Sequence, residues 1–93
     1  MRSRFTAFAL GLEPYLLATW HASSRPVSLK LDEAPTPKWV GLQVLRVEQQ
    51  DGTHALVEFV ARYKVNGRAF RLHETSRFVL ESGKWLYLDG ETV

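Results

Sequence analysis

Glu74 and Ser76 stand two residues apart in a strand-like stretch, and Asp89 joins them on the same side once the last hairpin is closed. These are the polar side chains best suited to chemistry in a shared site. A carboxylate among apolar neighbours is expensive unless it is paired or put to use. As a general base or ligand anchor, Glu74 would work with Asp89, Tyr63 and His21, and these four are the candidate catalytic residues if the chain is an enzyme. The structural alternative pairs Glu74 with a helix arginine, Arg4 before Arg2, whose planar fork suits a carboxylate and would lock helix to sheet. Both readings stand on the residues alone.

Other chemistries find less support. His73 and Glu74 are adjacent, so on a strand they point to opposite faces and cannot serve one small ligand. His21, His54 and His73 lack the spacing of a metal centre. The absence of cysteine excludes disulfides, thiol nucleophiles and cysteine-held metals within these residues. No Gly-x-Ser-x-Gly elbow is present, so a serine triad has no anchor. No metal or other cofactor is expected. His21 follows Trp20 at the end of a short helix, where a cation complements the helix dipole.

The elements that must position these residues are helices first and strands after. Ser3 is placed to cap a helix whose apolar positions Phe5, Phe8, Ala9 and Leu12 repeat at helical spacing, with Gly11 as its stop. Glu13 and Pro14 open a second helix carrying Tyr15, Leu16, Leu17, Ala18 and Trp20. Helices thus occupy about 3–20. A connector rich in Ser and Pro covers about 21–38, with one helical turn expected near 29–31. From Trp39 the pattern is sheet, with turns at Asp51-Gly52, Asn66-Gly67 and Ser82-Gly83. Four strands follow, about 39–50, 53–65, 68–81 and 84–89, in an antiparallel meander.

Two-residue turns set a register in which Tyr63 faces Phe70, Ala61 Leu72, Phe59 Glu74, Val57 Ser76, Ala55 Phe78, Phe78 Tyr87 and Ser76 Asp89. All point to one apolar side, which the helices should cover. In the first strand Leu42 and Val44 keep that phase while Leu45 and Val47 leave it, so a β-bulge is expected near Val44–Leu45. The fold class is therefore α+β: N-terminal helices packed on a curved four-stranded antiparallel meander, a cone able to hold a pocket. Its expected lining is Phe59, Tyr63, Glu74, Ser76 and Trp20.

Composition agrees with one domain over residues 1–93. At 45% hydrophobic and 24% charged, the chain is ordinary globular material. No apolar run approaches the roughly 20 residues of a membrane span, and no signal peptide is visible; a cytoplasmic location without membrane contact is expected. On the outer sheet face Arg62, Lys64, Arg71 and Arg77 are joined by Leu56, Val79, Leu86 and Leu88, with Leu45 and Val47 beside them. Aliphatics in that number call for a cover, so a homodimer or a partner protein is expected there. Stacking aromatics are missing from that face and the formal charge is only +2, so nucleic acid is not expected.

Five segments also resemble a known family in order: Met-Arg-Ser-Arg-Phe-Thr-Ala-Phe (1–8), Tyr-Leu-Leu-Ala-Thr-Trp-His (15–21), Val-Glu-Phe-Val-Ala-Arg-Tyr (57–63), Leu-His-Glu-Thr-Ser-Arg-Phe (72–78) and Trp-Leu-Tyr-Leu-Asp-Gly (85–90). They are similar to the middle domain of the YchJ-like bacterial proteins, over nearly the whole chain. The resemblance implies a nuclear-transport-factor-2-like (cystatin-like) cone. Typical members add a short cysteine-rich zinc motif, of the kind found at the end of the SecA translocation ATPase, before this domain and sometimes after it. This sequence starts where that motif would end, which reads as a domain of a longer protein or as a natural short form. The resemblance brings no assigned catalytic residues. The leading expectation is a non-catalytic binding or protein-interaction module, normally part of a larger zinc-motif protein. The alternative is a small-molecule enzyme, dehydratase- or isomerase-like, using the cone pocket around Glu74 for an unknown ligand.

Overall fold

Two hairpin turns organise the sheet. Asn66 and Gly67 both take positive φ (53° and 76°), as do Ser82 and Gly83 (52° and 77°), the conformation a tight two-residue hairpin demands. The computed structural model describes residues 2–29 and 37–93. Its strands are β1 (Lys38–Gln49), β2 (His54–Val65), β3 (Arg68–Glu81) and β4 (Lys84–Thr92), in the order β1-β2-β3-β4. Helices α1 (Arg2–Leu10) and α2 (Glu13–Ala18) precede them. This is the expected α+β architecture. The helical turn expected near 29–31 falls largely outside the described residues.

The turn at Asp51-Gly52 differs from expectation. Neither residue has positive φ, and β2 begins only at His54. The Asp51 carboxylate accepts the Thr53 N–H at 2.7 Å, closing a turn through its side chain and lengthening the loop. That bond, with the one to His54, lowers the Asp51 pKa to about 2.

The β2–β3 register runs unbroken, with Tyr63 on Phe70, Phe59 on Glu74, Val57 on Ser76 and Ala55 on Phe78, as expected. The two outer strands are irregular. In β1 the anticipated extra residue is Leu45, between Val44↔Phe59 and Arg46↔Glu58. Val40 is a second, unanticipated one, between Trp39↔Tyr63 and Gly41↔Arg62. Because a bulge restores the phase after one residue, Val47 pairs with Val57 and returns to the helix side, not to the outer face. In β4 a bulge at Leu88 lies between Tyr87↔Phe78 and Asp89↔Arg77. Gly90, not Asp89, therefore faces Ser76.

Beyond α2 the chain runs beside β4. Tyr87 N–H donates to Thr19 O at 2.8 Å and His21 N–H to Tyr87 O at 2.7 Å, making a short parallel bridge at Trp20. Ser24 Oγ then donates to Leu88 O at 2.5 Å and holds the bulge.

The core lies between the helices and the sheet. Val57, Phe59, Ala61 and Phe78 form its centre, with Phe5, Trp39, Leu42, Val44, Leu72 and Tyr87 packed around it. Trp39 meets Phe5 edge-on at 5.8 Å, approaches Phe8 at 6.0 Å and Tyr63 at 5.0 Å. The helix phase differs from the expected stripe: α1 starts one residue ahead of Ser3, and its buried residues are Arg4 and Ala7. Phe5 and Phe8 are half-buried, while Ala9 and Leu12 face outward. In α2 only Leu16 is buried, and fully so.

Candidate functional site

β3 sends Glu74, Ser76 and Phe78 toward the helices, since alternate residues share a face. Ser76, fully buried, donates its hydroxyl to Glu74 Oε2 at 2.8 Å. Gly90 makes room for that carboxylate: a Cβ there would lie 2.5 Å from Oε2. Gly90→Ala is therefore expected to swing Glu74 away and forfeit the Ser76 bond, at about 1 kcal/mol. Denaturant melts of Gly90→Ala alone and combined with Glu74→Ala check this. An equal penalty in both backgrounds would clear Glu74 of the clash.

Arg4 is the other charged group of this face, and it is 4% exposed. Its Nη1 donates to Thr19 Oγ1 at 2.9 Å and to Leu16 O at 3.3 Å. The guanidinium lies 4.5 Å from the Tyr87 ring centre and 5.1 Å from that of Trp20, a cation–π arrangement. The expected Arg4–Glu74 ion pair does not form; no salt bridge reaches Arg4 among the described residues. The reason is geometric. The phase of α1 turns Arg4 toward Thr19 and Tyr87, while Ser76 and the gap at Gly90 hold Glu74 to the sheet. Burial lowers the Arg4 pKa, opposed by the longer-range influence of Tyr87, Tyr15 and Glu74.

Two cavities flank Arg4, and it lines both. The smaller, about 130 Å³, is walled by Phe5, Phe8, Trp20, Trp39, Phe59 and Glu74 among others. The larger, about 330 Å³, has an apolar wall of Val47, Val57, Phe78 and Trp85 and polar groups from Ser3, Thr19 and Gln49.

Of the residues expected in the pocket, Phe59, Trp20 and Glu74 line the smaller cavity. Ser76 sits beneath Glu74, and Tyr63 is stacked on Phe70 at 5.4 Å. Asp89 is on the opposite face, bonded twice to Arg77, which holds its carboxyl below the usual range. His21 lies three residues past α2, where Glu81 Oε2 is 2.8 Å from Nε2 and Ser23 Oγ 2.7 Å from Nδ1, so it neither caps that helix nor reaches the cavity. Among the described residues no group of three or more His, Cys, Asp or Glu could hold a metal ion.

Tyr87, placed on this face by register but not among the candidate site residues, lines the smaller cavity. Burial first, then the Glu74 charge, pushes its phenol up to about 12, against Arg4 and with a further contribution from Asp89. A raised folded-state pKa means folding favours the protonated phenol. That contribution is complete below about pH 10 and is lost as pH rises from there to about 12. Alkaline unfolding of wild type should thus be steeper than that of Tyr87→Phe; matching curves would count against a perturbed Tyr87.

The family model described as the YchJ middle NTF2-like domain matches residues 1–90. The chain belongs to this family. Among YchJ relatives, a UPF0225 protein of Chromobacterium violaceum is 58% identical over 93 residues, covering 97% of this chain and 69% of its own length. A UPF0225 protein of Ralstonia nicotianae is 56% identical over 101 residues, covering 98% and 70%. The YchJ fold is also similar to the solution structure of a SEC-C motif containing protein from Rhodopseudomonas palustris. There the TM-score is 0.86 at 30% identity, over 100% of this chain and 75% of that one. A crystal structure of a SEC-C motif containing protein from Psychrobacter arcticus gives 0.78 at 29%, over 96% and 56%. No helix among the described residues is long and apolar enough to cross a membrane.

Proposed function

We propose that this YchJ domain is a non-catalytic binding module whose concave face receives a small, largely apolar ligand as one part of a larger cytoplasmic protein. The observation that carries this reading is an aromatic-walled cavity in which, among the described residues, Glu74 finds only Arg4 and a Tyr87 phenol whose pKa of about 12 suits it poorly to proton transfer near neutral pH. Glu74 and Arg4 line it, while Asp89, His21 and Tyr63 are engaged elsewhere. Proton-transfer catalysis wants two groups within hydrogen-bond reach of the reacting atoms; binding wants an apolar wall and a few placed polar groups. That both solved neighbours are SEC-C motif containing proteins, of which this chain covers 75% and 56%, supports the larger protein.

Protein-observed NMR with neutral aromatic fragments tests the module. Shifts at Trp20, Trp39 and Tyr87 are expected, and their absence would remove the reading. The enzyme alternative draws on Glu74, which no arginine neutralises. Glu74→Gln should then lose less than about 1 kcal/mol in denaturant melts, since only the Ser76 bond is altered. A loss of about 2 kcal/mol or more would mark Glu74 as structural.

For the outer face the reading is a homodimer. Leu56, Val79, Leu86 and Leu88 are half-exposed, with Leu56, Val79 and Leu86 on the side away from the helices by register. Sedimentation of wild type and Leu86→Glu checks it: a concentration-dependent dimer should dissociate in the variant, and a monomer in both would end the idea.

A further inference from the structure

The larger cavity has a cation in its wall and, among the described residues, no anion to match. Arg4 carries five N–H donors; its two hydrogen bonds both come from Nη1. The donors on Nε and Nη2 have no acceptor among the described residues. No buried side-chain nitrogen or oxygen in the described structure lacks a partner, so those two nitrogens must open on accessible space. A buried charge is costly unless it is paired. Cation–π contact with Tyr87 and Trp20 offsets part of that cost, yet it supplies no hydrogen-bond acceptor for Nε or Nη2.

We propose that the larger cavity is a binding site for a small monocarboxylate with an apolar body, its carboxylate taken by the free edge of Arg4. The proposal goes beyond the binding-module reading: it assigns a ligand class to the second cavity beside Arg4. A carboxylate matches the planar fork in a bidentate way. A dianion such as phosphate would meet only this one cation, with the Glu74 charge close enough to act on it. Among the described residues the lining of this cavity contains no carboxylate that would compete for the guanidinium or repel an anion. Thr19 and Ser3 supply hydroxyls at the polar end, and Val47, Val57, Phe78 and Trp85 accept the body. The volume of about 330 Å³ holds about eleven water-sized groups at roughly 30 Å³ each, which limits the ligand to one short chain or one ring with a short arm.

The test is a matched pair on the wild-type chain: 3-phenylpropanoate against 3-phenylpropanamide, alike in size and differing in charge. Binding is followed by NMR at the Trp85 indole and the Arg4 guanidinium. The acid should bind at least ten-fold more tightly than the amide and shift both reporters. Equal affinities, no binding of either, or shifts confined to Trp20 and Trp39 would overturn the proposal. The last of these would leave the binding-module reading intact, as would neutral fragments still binding beside Trp20. Val47→Trp, at a residue 68% exposed on the cavity rim, should lower the acid's affinity five-fold or more without moving the neutral fragments; an unchanged affinity would also overturn it. Arg4→Met should make acid and amide equivalent. The wild-type pair decides the matter even if that variant fails to fold.

Discussion

Phe59→Ala is expected to remove about 3–5 kcal/mol of stability in urea melts. Phe59 is 3% exposed at the centre of the Val57–Ala61–Phe78 cluster, and it also walls the smaller cavity. Truncation therefore merges new void with space that is already open, and surroundings that did not collapse onto 130 Å³ have little means of collapsing onto more. A 93-residue domain has a total of about 5–14 kcal/mol, so the variant should be folded but marginal. A loss below about 1.5 kcal/mol would mean that the helices close over the gap, and that the smaller cavity is slack instead of built.

The second large effect is local. Leu16 is the one buried residue of α2 and is fully enclosed, while its carbonyl accepts from Arg4. Leu16→Ala should cost about 2–5 kcal/mol. Neither helix reaches the roughly 12–15 residues that stand alone in water, so the loss should fall on the helical layer before the sheet. Hydrogen exchange is the measurement: amides of α1 and α2 should lose protection while those of the β2–β3 pairing keep theirs. Uniform loss throughout would show that the two layers unfold as one unit.

The sheet was largely legible in the sequence because positive φ is demanding. Asn66-Gly67 and Ser82-Gly83 have few other ways to behave, and with those turns placed the β2–β3 register follows. Asp51-Gly52 misled because an aspartate can also close a turn through its own carboxylate. A single extra residue reverses the alternation: Asp89 falls on the other face because Leu88, a bulge, does not differ in type from its neighbours, and Val47 returns to the helix side because the expected bulge at Leu45 is one residue long. The site was legible in part. Glu74 and its Ser76 neighbour follow from register, and Phe59 and Trp20 from their bulk. Arg4 was read as a partner for Glu74 because charge invites pairing. That Arg4 instead bonds Thr19 and Leu16 O depends on the phase of a nine-residue helix, which capping and apolar spacing place differently. Gly90 carried no mark at all, since its role is the space it leaves.

The irregular strands are the two at the margins of an open sheet. A free, regular margin presents a row of unpaired amides and carbonyls that a strand from another chain can extend without end. Here β1 interrupts its ladder at Val40 and again at Leu45, with Lys38 and Arg46 along it. β4 is occupied from Thr19 to His21 and kinked at Leu88. The same devices that displace Asp89 and redirect Val47 thus deny both margins to a fifth strand. An unclosed sheet of this kind is guarded against growing edge to edge into fibres.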